Sequence, residues 1–315
     1  MGTDSILFPN LHITLTHVWQ GIQVGPLWVA FYGVCIAIAM LSGMWLAMFL
    51  AKKTGQDPDT YFYFAVVAVI LSVFGARLYY VIFSWEHYAA HPIEILDFRG
   101  GGLAIYGGVI TGVLCAVVFC RMKHLNVLLF MDTGLPAVTL GQVIGRWGNF
   151  FNREAFGGYT NNLLAMALPV EILPEDVVTQ EMLDHPLVRE GVTFAQVHPT
   201  FLYESLWNTA LLIIMLVIIL GGRKIMQNSM KEIPTGSNVT YSGWKRFDGE
   251  IACLYLLGYG IGRFWIEGIR TDRLLIPGTV LAVSQVLSAV LAVAGGICLV
   301  IGLWRHRGDR EKREA

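Results

Sequence analysis

Seven apolar stretches dominate the sequence, and each is long enough to cross the hydrocarbon core of a bilayer as a helix. They fall at residues 26–50, 61–84, 102–120, 126–148, 199–221, 250–268 and 279–304. The chain is 55% hydrophobic and 14% charged, and its mean hydropathy of +0.57 exceeds that of an ordinary soluble domain. The sequence therefore predicts an all-α polytopic membrane protein with seven transmembrane helices.

The positions of lysine and arginine indicate how such a bundle is oriented. Fourteen of the 22 Lys and Arg residues lie on one side of the seven predicted spans, and the positive-inside rule makes that side cytoplasmic. We therefore expect an extracytoplasmic N-terminal arm (1–25), a seven-span body (26–304) and a charged cytoplasmic tail (305–315). Within the body, residues 149–198 form a small extracytoplasmic head and residues 222–248 a cytoplasmic loop.

Composition gives no indication of nucleic-acid binding, disulfide bonds or metal binding. The net charge is −1, without a basic stripe. The five cysteines are odd in number and all lie in apolar stretches, so no disulfide framework is indicated. The spacing of the histidines matches no metal signature.

Ionisable residues inside the apolar stretches are the next constraint. Arg77, Arg146, Glu204, Arg263 and Glu267 all fall towards the predicted outer end of a span. An arginine at the bilayer centre costs about 2.5–3.5 kcal/mol on insertion scales, so it normally faces a partner or a polar cavity. Ion pairs that only join helices can lie at any depth in the membrane. The residues of a site for a charged head group must lie at one depth. The sequence therefore predicts a polar site in the outer leaflet.

The residue types in this set favour an anionic ligand. Tyr259, Arg263, Glu267 and Arg270 recur at helical spacing and share one face of the sixth span. One interpretation is that Arg263 and Glu267 form an ion pair that joins helices. The other is that Arg263 and Arg146 hold an anion between them, and arginine binds phosphate with both arms of its fork. For Arg77, hydrogen bonding from helix to helix is the preferred interpretation.

Two glycine-containing motifs frame the predicted site. The fourth span ends in GRWGNFFNRE at residues 145–154, where small residues permit close approach and asparagine amides donate and accept hydrogen bonds. The third span opens with GGGLAIYGG at residues 100–108. That run either packs closely against a neighbour or presents Tyr106 and backbone N–H groups to the outer-leaflet site. Tyr32 is likewise either an interfacial anchor or a site residue.

Residues 145–154 resemble the signature of the prolipoprotein diacylglyceryl transferase family, Gly-Arg-x-Gly-Asn-Phe-x-Asn-x-Glu, and meet every fixed position. The resemblance extends from about Gly25 to the last span. Its further matches are Phe31-Tyr32-Gly33, the glycine-rich run, His198-Pro199-Thr200, Tyr203-Glu204, Gly258-Tyr259-Gly260 with Arg263 and Glu267, and Ser284-Gln285. It implies a bacterial inner-membrane enzyme that transfers the diacylglyceryl group of phosphatidylglycerol to the lipobox cysteine thiol of a prolipoprotein signal peptide, forming a thioether and releasing glycerol phosphate.

The resemblance also implies roles for individual residues, with no metal or organic cofactor. The catalytic set that we expect is Arg146, Arg263, Tyr106 and Glu267. The substrate-binding set that we expect is Arg146, Asn149, Asn152, Glu154, Tyr32, Tyr259, Glu204 and Gly157. Tyr106 is a departure, because many members of the family carry histidine there. A phenol holds its proton well above neutral pH, so this tyrosine is a poor base unless its surroundings change it.

Two other classes of protein are alternatives. A transporter of an anionic solute would place charges along a path through both leaflets, whereas the charges here share one leaflet. A seven-helix receptor or interaction protein would not need paired arginines beside a space of head-group size.

Overall fold

The computed structural model describes residues 2–98, 101–221 and 245–314 and forms a bundle of long helices with a small β-sheet at one end. Most of the predicted cytoplasmic loop 222–248 lies outside the described residues. The helices are α1 (Phe31–Lys53), α2 (Pro58–Phe83), α3 (Trp85–Ala90), α4 (Ile105–Met122), α5 (Val127–Asn152), α6 (Gln180–Asp184), α7 (Thr200–Leu220), α8 (Glu250–Ile269) and α9 (Val283–Glu314).

Each of the seven predicted spans coincides with a long helix. Among the described residues six helices are long and apolar enough to cross a membrane, namely α1, α2, α4, α5, α7 and the first 26 residues of α9. The seventh, α8, is the more polar helix because its 20 residues include Glu250, Arg263 and Glu267. The protein is therefore a helical polytopic membrane protein. The charged tail continues α9 as far as Glu314.

Small residues bring α8 and α9 into close contact. A Cβ at Gly260 would come within 2.6 Å of the Ser288 carbonyl oxygen, and one at Gly295 within 2.6 Å of the Leu257 nitrogen. Backbones that approach this closely gain van der Waals contact, which drives helix association where lipid removes the hydrophobic term. This contact fixes the height of the polar residues of α8 in the bundle.

The prediction of an all-α protein was wrong, because a small antiparallel sheet lies where α1 begins, α5 ends and α7 begins. Its strand order is β2-β1-β5-β7-β6. The strands are β1 (Ile6–Phe8), β2 (Ile13–Leu15), β5 (Met166–Pro169), β6 (Leu187–Arg189) and β7 (Val192–Val197), and a separate hairpin pairs β3 (Gly21–Val24) with β4 (Leu27–Ala30). The N-terminal arm thus contributes two strands to the head, where Ile6, Leu168 and Val197 are fully buried.

The far end of the bundle is held by a buried carboxylate on α5. Asp132, which is 2% exposed, accepts hydrogen bonds from the backbone nitrogens of Gly249 at 2.7 Å and Ala252 at 2.9 Å. These nitrogens belong to the first turn of α8, whose N–H groups have no partners within the helix. Lys245 Nζ lies 3.0 Å from the same carboxylate and balances its charge. Asp132 therefore anchors the start of α8 to α5.

Candidate active site

Arginine and glutamate side chains meet where α5, α7 and α8 pack together, near the end of the bundle that carries the sheet. Glu204 of α7 lies between two arginines: its Oε1 is 2.6 Å from Arg146 Nη2 on α5 and its Oε2 is 3.0 Å from Arg263 Nη1 on α8. The structure thus brings together residues that the sequence placed at one depth. The anion between the two guanidinium groups is a carboxylate of the protein itself.

The ion pairs continue along α8. Glu267 pairs with Arg263 and lies 3.7 Å from Arg270 Nη1. Arg270 in turn makes a bidentate contact with Asp272. Its Nε donates to Oδ1 at 2.9 Å and its Nη2 donates to Oδ2 at 2.7 Å. We call the resulting series the ion-pair chain; in order, it consists of Arg146, Glu204, Arg263, Glu267, Arg270 and Asp272. Three positive and three negative groups leave it formally neutral, which offsets the cost of burying charge at membrane depth.

The two ends of the ion-pair chain, Arg146 and Asp272, are more accessible than its middle. The Glu204 side chain is 4% exposed and that of Glu267 is 6% exposed, whereas that of Arg146 is 23% exposed. A buried carboxylate between two guanidinium groups has little capacity for a further partner. Of the two accessible ends only Arg146 carries a positive charge, so it is where the cluster can receive an external anion.

The chain reversal after α5 surrounds Arg146 with polar groups. Arg146 Nη1 donates to Asn149 Oδ1 at 3.3 Å, and Asn149 Nδ2 donates to Glu154 Oε1 at 2.8 Å. Arg153, the C-cap of α5, has a φ of 55°, which turns the chain so that the Glu154 nitrogen donates to the Asn149 carbonyl at 3.1 Å. The motif is thus about two helical turns, residues 145–152, plus the reversal that folds Glu154 back onto them.

A cavity of about 870 Å³ lies between the N-terminal arm and the end of α5. Asn152, Glu154 and Asp272 are in its lining, with Trp19 and Trp28 from the arm. Its volume falls within the usual range for small-molecule sites. Burial opposes ionisation of Asp272, but the hydrogen bonds and charge of Arg270 outweigh burial and hold the pKa of Asp272 below its ordinary value. The cavity therefore has an ionised carboxylate at the far end of the ion-pair chain.

Two of the tyrosines predicted to bind substrate, Tyr32 and Tyr259, lie close to residues of the candidate site in space or in sequence. The ring of Tyr32 covers Gly148, where a Cβ would come within 2.7 Å of Tyr32 Cδ2. Only glycine leaves room for that ring, which explains the small residue inside the motif. Tyr259 stacks on Tyr255 with ring centroids 5.4 Å apart, one helical turn before Arg263. Tyr32 of α1 thus lies against the α5 motif that contains Arg146, and Tyr259 lies on the same helix as Arg263 and Glu267.

Tyr106 lies apart from this cluster. It is in the first turn of α4, a helix that packs mainly against α2, and it is 37% exposed. Within the described residues it joins none of the hydrogen bonds or ion pairs that connect the arginines and glutamates. Its place in the catalytic set stays a prediction.

Gly157 permits close contact between the head and the end of α8. Its nitrogen donates to the His198 carbonyl at 3.0 Å, and a Cβ there would come within 2.7 Å of the Ile269 carbonyl oxygen. The neighbouring nitrogen of Gly158 donates to that carbonyl at 3.1 Å. This contact holds the sheet against the segment that carries Arg270. Binding of substrate by Gly157 stays a prediction.

Arg77 is a structural residue that binds a loop. Its Nε donates to Ile95 O at 3.0 Å and its Nη1 to Gly101 O at 2.9 Å, with further bonds to the carbonyls of Gly102 and Glu94. Arg77 is structural, but the predicted hydrogen bonding from helix to helix was wrong, because its partners are carbonyls of the segment between α3 and α4. A Cβ at Gly102 would come within 2.5 Å of Arg77 Nη1, which supports close packing as the purpose of this glycine.

Sequence reasoning missed two polar residues beside the cluster. Asp272, which follows α8, closes the ion-pair chain. Asn208 is 1% exposed on α7, and its amide makes no hydrogen bond within the described residues. Its position one helical turn after Glu204 is the signal that identifies it, since residues four apart share a helix face.

Comparisons with known proteins place this geometry in a family. Residues 20–301 match the family model described as prolipoprotein diacylglyceryl transferase. A phosphatidylglycerol–prolipoprotein diacylglyceryl transferase of Streptococcus agalactiae is 38% identical over 286 residues, which are 91% of this chain and 95% of the relative. Proteins of that name from a Synechococcus species and from Bacillus cereus are 38% and 37% identical, over 92% and 93% of this chain and 93% and 94% of the relatives.

Proposed function

This chain belongs to the prolipoprotein diacylglyceryl transferase family, and we propose that phosphatidylglycerol donates its diacylglyceryl group to a prolipoprotein at the ion-pair chain. The observation that carries the assignment to this site is the guanidinium of Arg146, which at 23% exposure is the most accessible of the three in the formally neutral ion-pair chain. A lipid phosphate arriving from the bilayer meets this positive group, whereas the carboxylates of Glu204 and Glu267 are already paired with arginines. The alternative of an anion transporter gains no support from the comparisons.

We further propose the topology and location that this reaction requires. All seven long helices cross the membrane, with α8 shielded by its neighbours, and the N-terminus and the sheet lie outside the cytoplasm. The sheet contains both the N-terminal arm and the 149–198 segment, which supports placing the two on one side. The enzyme then acts at the outer leaflet of the bacterial inner membrane, where the acceptor is the lipobox cysteine of a prolipoprotein signal peptide.

The transfer is a displacement at carbon. The thiolate sulfur of the acceptor attacks the glycerol carbon that bears the phosphate, a C–S bond forms, and the C–O bond to the phosphate breaks. The electron pair of that bond leaves on the phosphate oxygen, so the phosphodiester monoanion becomes glycerol phosphate with a second negative charge. The thiol proton is released in the same turnover. Charge therefore grows on the departing phosphate, and a cation held beside it lowers the barrier.

The position of each residue determines the role that we propose for it in the transfer. Arg146 binds the departing phosphate, while Glu204 and Glu267 hold Arg146 and Arg263 in place through the ion-pair chain. The positive charge nearby also favours the thiolate form of the acceptor. Asn149, Asn152 and Glu154 position the glycerol head group, and Tyr32 and Tyr259 donate hydrogen bonds to phosphate or ester oxygens.

The proposed function is tested by incubating purified protein with phosphatidylglycerol and a synthetic lipobox peptide. We expect the peptide mass to increase by one diacylglyceryl group, and a peptide with serine in place of the cysteine to stay unchanged. Absence of a mass shift, with an active relative as positive control, would remove the assignment.

The head-group residues predict a choice between lipids. The glycerol hydroxyls of phosphatidylglycerol can hydrogen-bond to Asn149, Asn152 and Glu154, whereas the amine of phosphatidylethanolamine cannot reproduce that pattern of donors and acceptors. We expect the initial rate with phosphatidylglycerol to exceed that with phosphatidylethanolamine by at least about tenfold when acyl chains are matched. Equal rates would show that these three residues do not select the head group.

Tyr106 gives a prediction that separates a positioning role from a catalytic base. If the arginines promote loss of the thiol proton and Tyr106 only positions substrate, Tyr106→Phe should reduce the rate by about tenfold, the value of one hydrogen bond. Tyr106→His should retain activity, because many members of the family carry histidine there. Rates are compared across pH with the lipobox peptide. An inactive phenylalanine variant that histidine restores but raised pH does not would make Tyr106 the proton acceptor.

A further inference from the structure

A cluster of metal-binding side chains lies outside the proposed active site, in the segment that connects α2 to α4. His87 is on α3, His91 is its C-cap, and Glu94 lies in the 3₁₀ helix Pro92–Leu96 that follows. Their ligand atoms all lie within 4.8 Å of one another. Within residues 2–98, 101–221 and 245–314 no other three His, Cys, Asp or Glu residues form such a group.

Local backbone structure brings the three side chains together. His87 and His91 are four residues apart, so they occupy the same face of the turn, and their rings stack with centroids 5.2 Å apart. Pro92 cannot continue the helical hydrogen bonds and ends α3. The Glu94 nitrogen then donates to the His91 carbonyl at 3.1 Å, and this tight turn returns the Glu94 carboxylate to within 2.8 Å of His87 Nε2.

We propose that His87, His91 and Glu94 bind one divalent transition-metal ion of the Zn²⁺ class. Two imidazoles and one carboxylate form a donor set that suits Zn²⁺, while Mg²⁺ and Ca²⁺ prefer oxygen ligands alone. Atoms bound tetrahedrally at about 2.1 Å from one ion are about 3.4 Å apart, so small side-chain rotations complete the site. Water fills the fourth position, since the His87 and Glu94 side chains are 56% and 47% exposed.

The proposed ion joins α3 to the 3₁₀ helix Pro92–Leu96, which Arg77 of α2 holds by hydrogen bonds. Arg77 binds the carbonyls of Glu94 and Ile95, and the same loop leads into α4. A metal bridge from α3 to Glu94 closes a short loop and removes conformations from the unbound segment. The expected consequence is a more rigid connection between α2 and α4. This inference is independent of the proposed lipid chemistry.

The test uses full-length protein purified in detergent without a histidine tag and freed of metal with a chelator. We expect titration with ZnCl₂, followed by calorimetry, to show one saturable Zn²⁺ per chain, and the His87→Ala/His91→Ala double variant to bind at least about tenfold more weakly. Glu94→Gln should also weaken binding. Zn²⁺ should slow amide hydrogen exchange at residues 92–98 in the unsubstituted protein and leave it unchanged in the double variant.

Matched controls exclude binding elsewhere. His185→Ala removes an exposed histidine of the head, and Glu86→Gln removes an exposed carboxylate of α3 itself; both should bind Zn²⁺ like the unsubstituted protein. Millimolar Mg²⁺ should not compete. The inference is overturned if the unsubstituted protein binds no Zn²⁺, if the double variant binds equally well, or if exchange at residues 92–98 does not respond to the ion. Unfolding curves without metal verify that every variant folds.

Discussion

Arg146→Ala should abolish diacylglyceryl transfer while leaving the protein folded. The Arg146 side chain is 23% exposed and is the more accessible of the two guanidinium groups that bind Glu204, so its loss removes the group that we propose receives the lipid phosphate. Removing one preorganised donor from a developing negative charge typically lowers kcat by about 10²–10³-fold. The loss here should be at least that large, because charge and a bidentate contact disappear together. Transfer to a lipobox peptide is measured by mass spectrometry, and folding by thermal unfolding in detergent.

Arg146→Lys separates charge from geometry. Lysine keeps the positive charge but presents a single ammonium group that cannot contact phosphate and Glu204 with a planar fork. We expect it to recover little of the lost rate. Arg189→Ala, which removes an exposed arginine of the head, is the control for loss of charge and should transfer normally. Near-normal turnover by Arg146→Ala would exclude the phosphate-binding role.

Glu204→Gln should both unfold the protein at lower temperature and eliminate transfer. The substitution keeps the volume of the side chain but leaves Arg146 and Arg263 facing each other without the negative charge between them. Breaking a buried ion pair by removing one partner costs about 3–5 kcal/mol, because the remaining charge is uncompensated. The measurement is the midpoint of thermal unfolding for variant and unsubstituted protein, followed by the transfer assay below both midpoints.

Two comparison variants make this result interpretable. Glu175→Gln alters an exposed glutamate of the head and should change neither quantity. The double variant Glu204→Gln/Arg146→Gln removes one of the two opposed positive charges, so it should regain part of the stability while remaining inactive. An unchanged unfolding midpoint for Glu204→Gln would show that the carboxylate does not hold the two arginines together.

The long helices were predictable because a bilayer requires extended apolar runs, and such runs are visible in any sequence window. The sheet was not, since its strands are three to six residues long. Such strands have too few residues for alternation to be recognised, and their pairing depends on distant partners such as Leu7 with Ala167. The sequence therefore predicts an arm (1–25) and a small head (149–198) at these positions without predicting their strands.

The proposed site was predictable in depth but not in arrangement. Position along a span gives the height of Arg146, Glu204, Arg263 and Glu267 in the bundle, and the structure brings these four together. Height says nothing about which helices are neighbours. From the sequence alone a phosphate is therefore expected between the two arginines, whereas Glu204 occupies that position. Tyr106 is likewise expected at the same site, although α4 packs mainly against α2.

The strand pairing of the head has a consequence for how the protein is made. Leu7 pairs with Ala167, and four long helices lie between them in the sequence. The N-terminal strand is therefore synthesised first and cannot form this pair until those helices have been made. Such distant contacts form late, because the intervening chain must be ordered first. The cavity that contains Asn152 and Glu154 is lined by both the arm and the end of α5. A nascent chain therefore has its membrane helices before it has a complete cavity, and premature termination before β5 yields inserted protein without one.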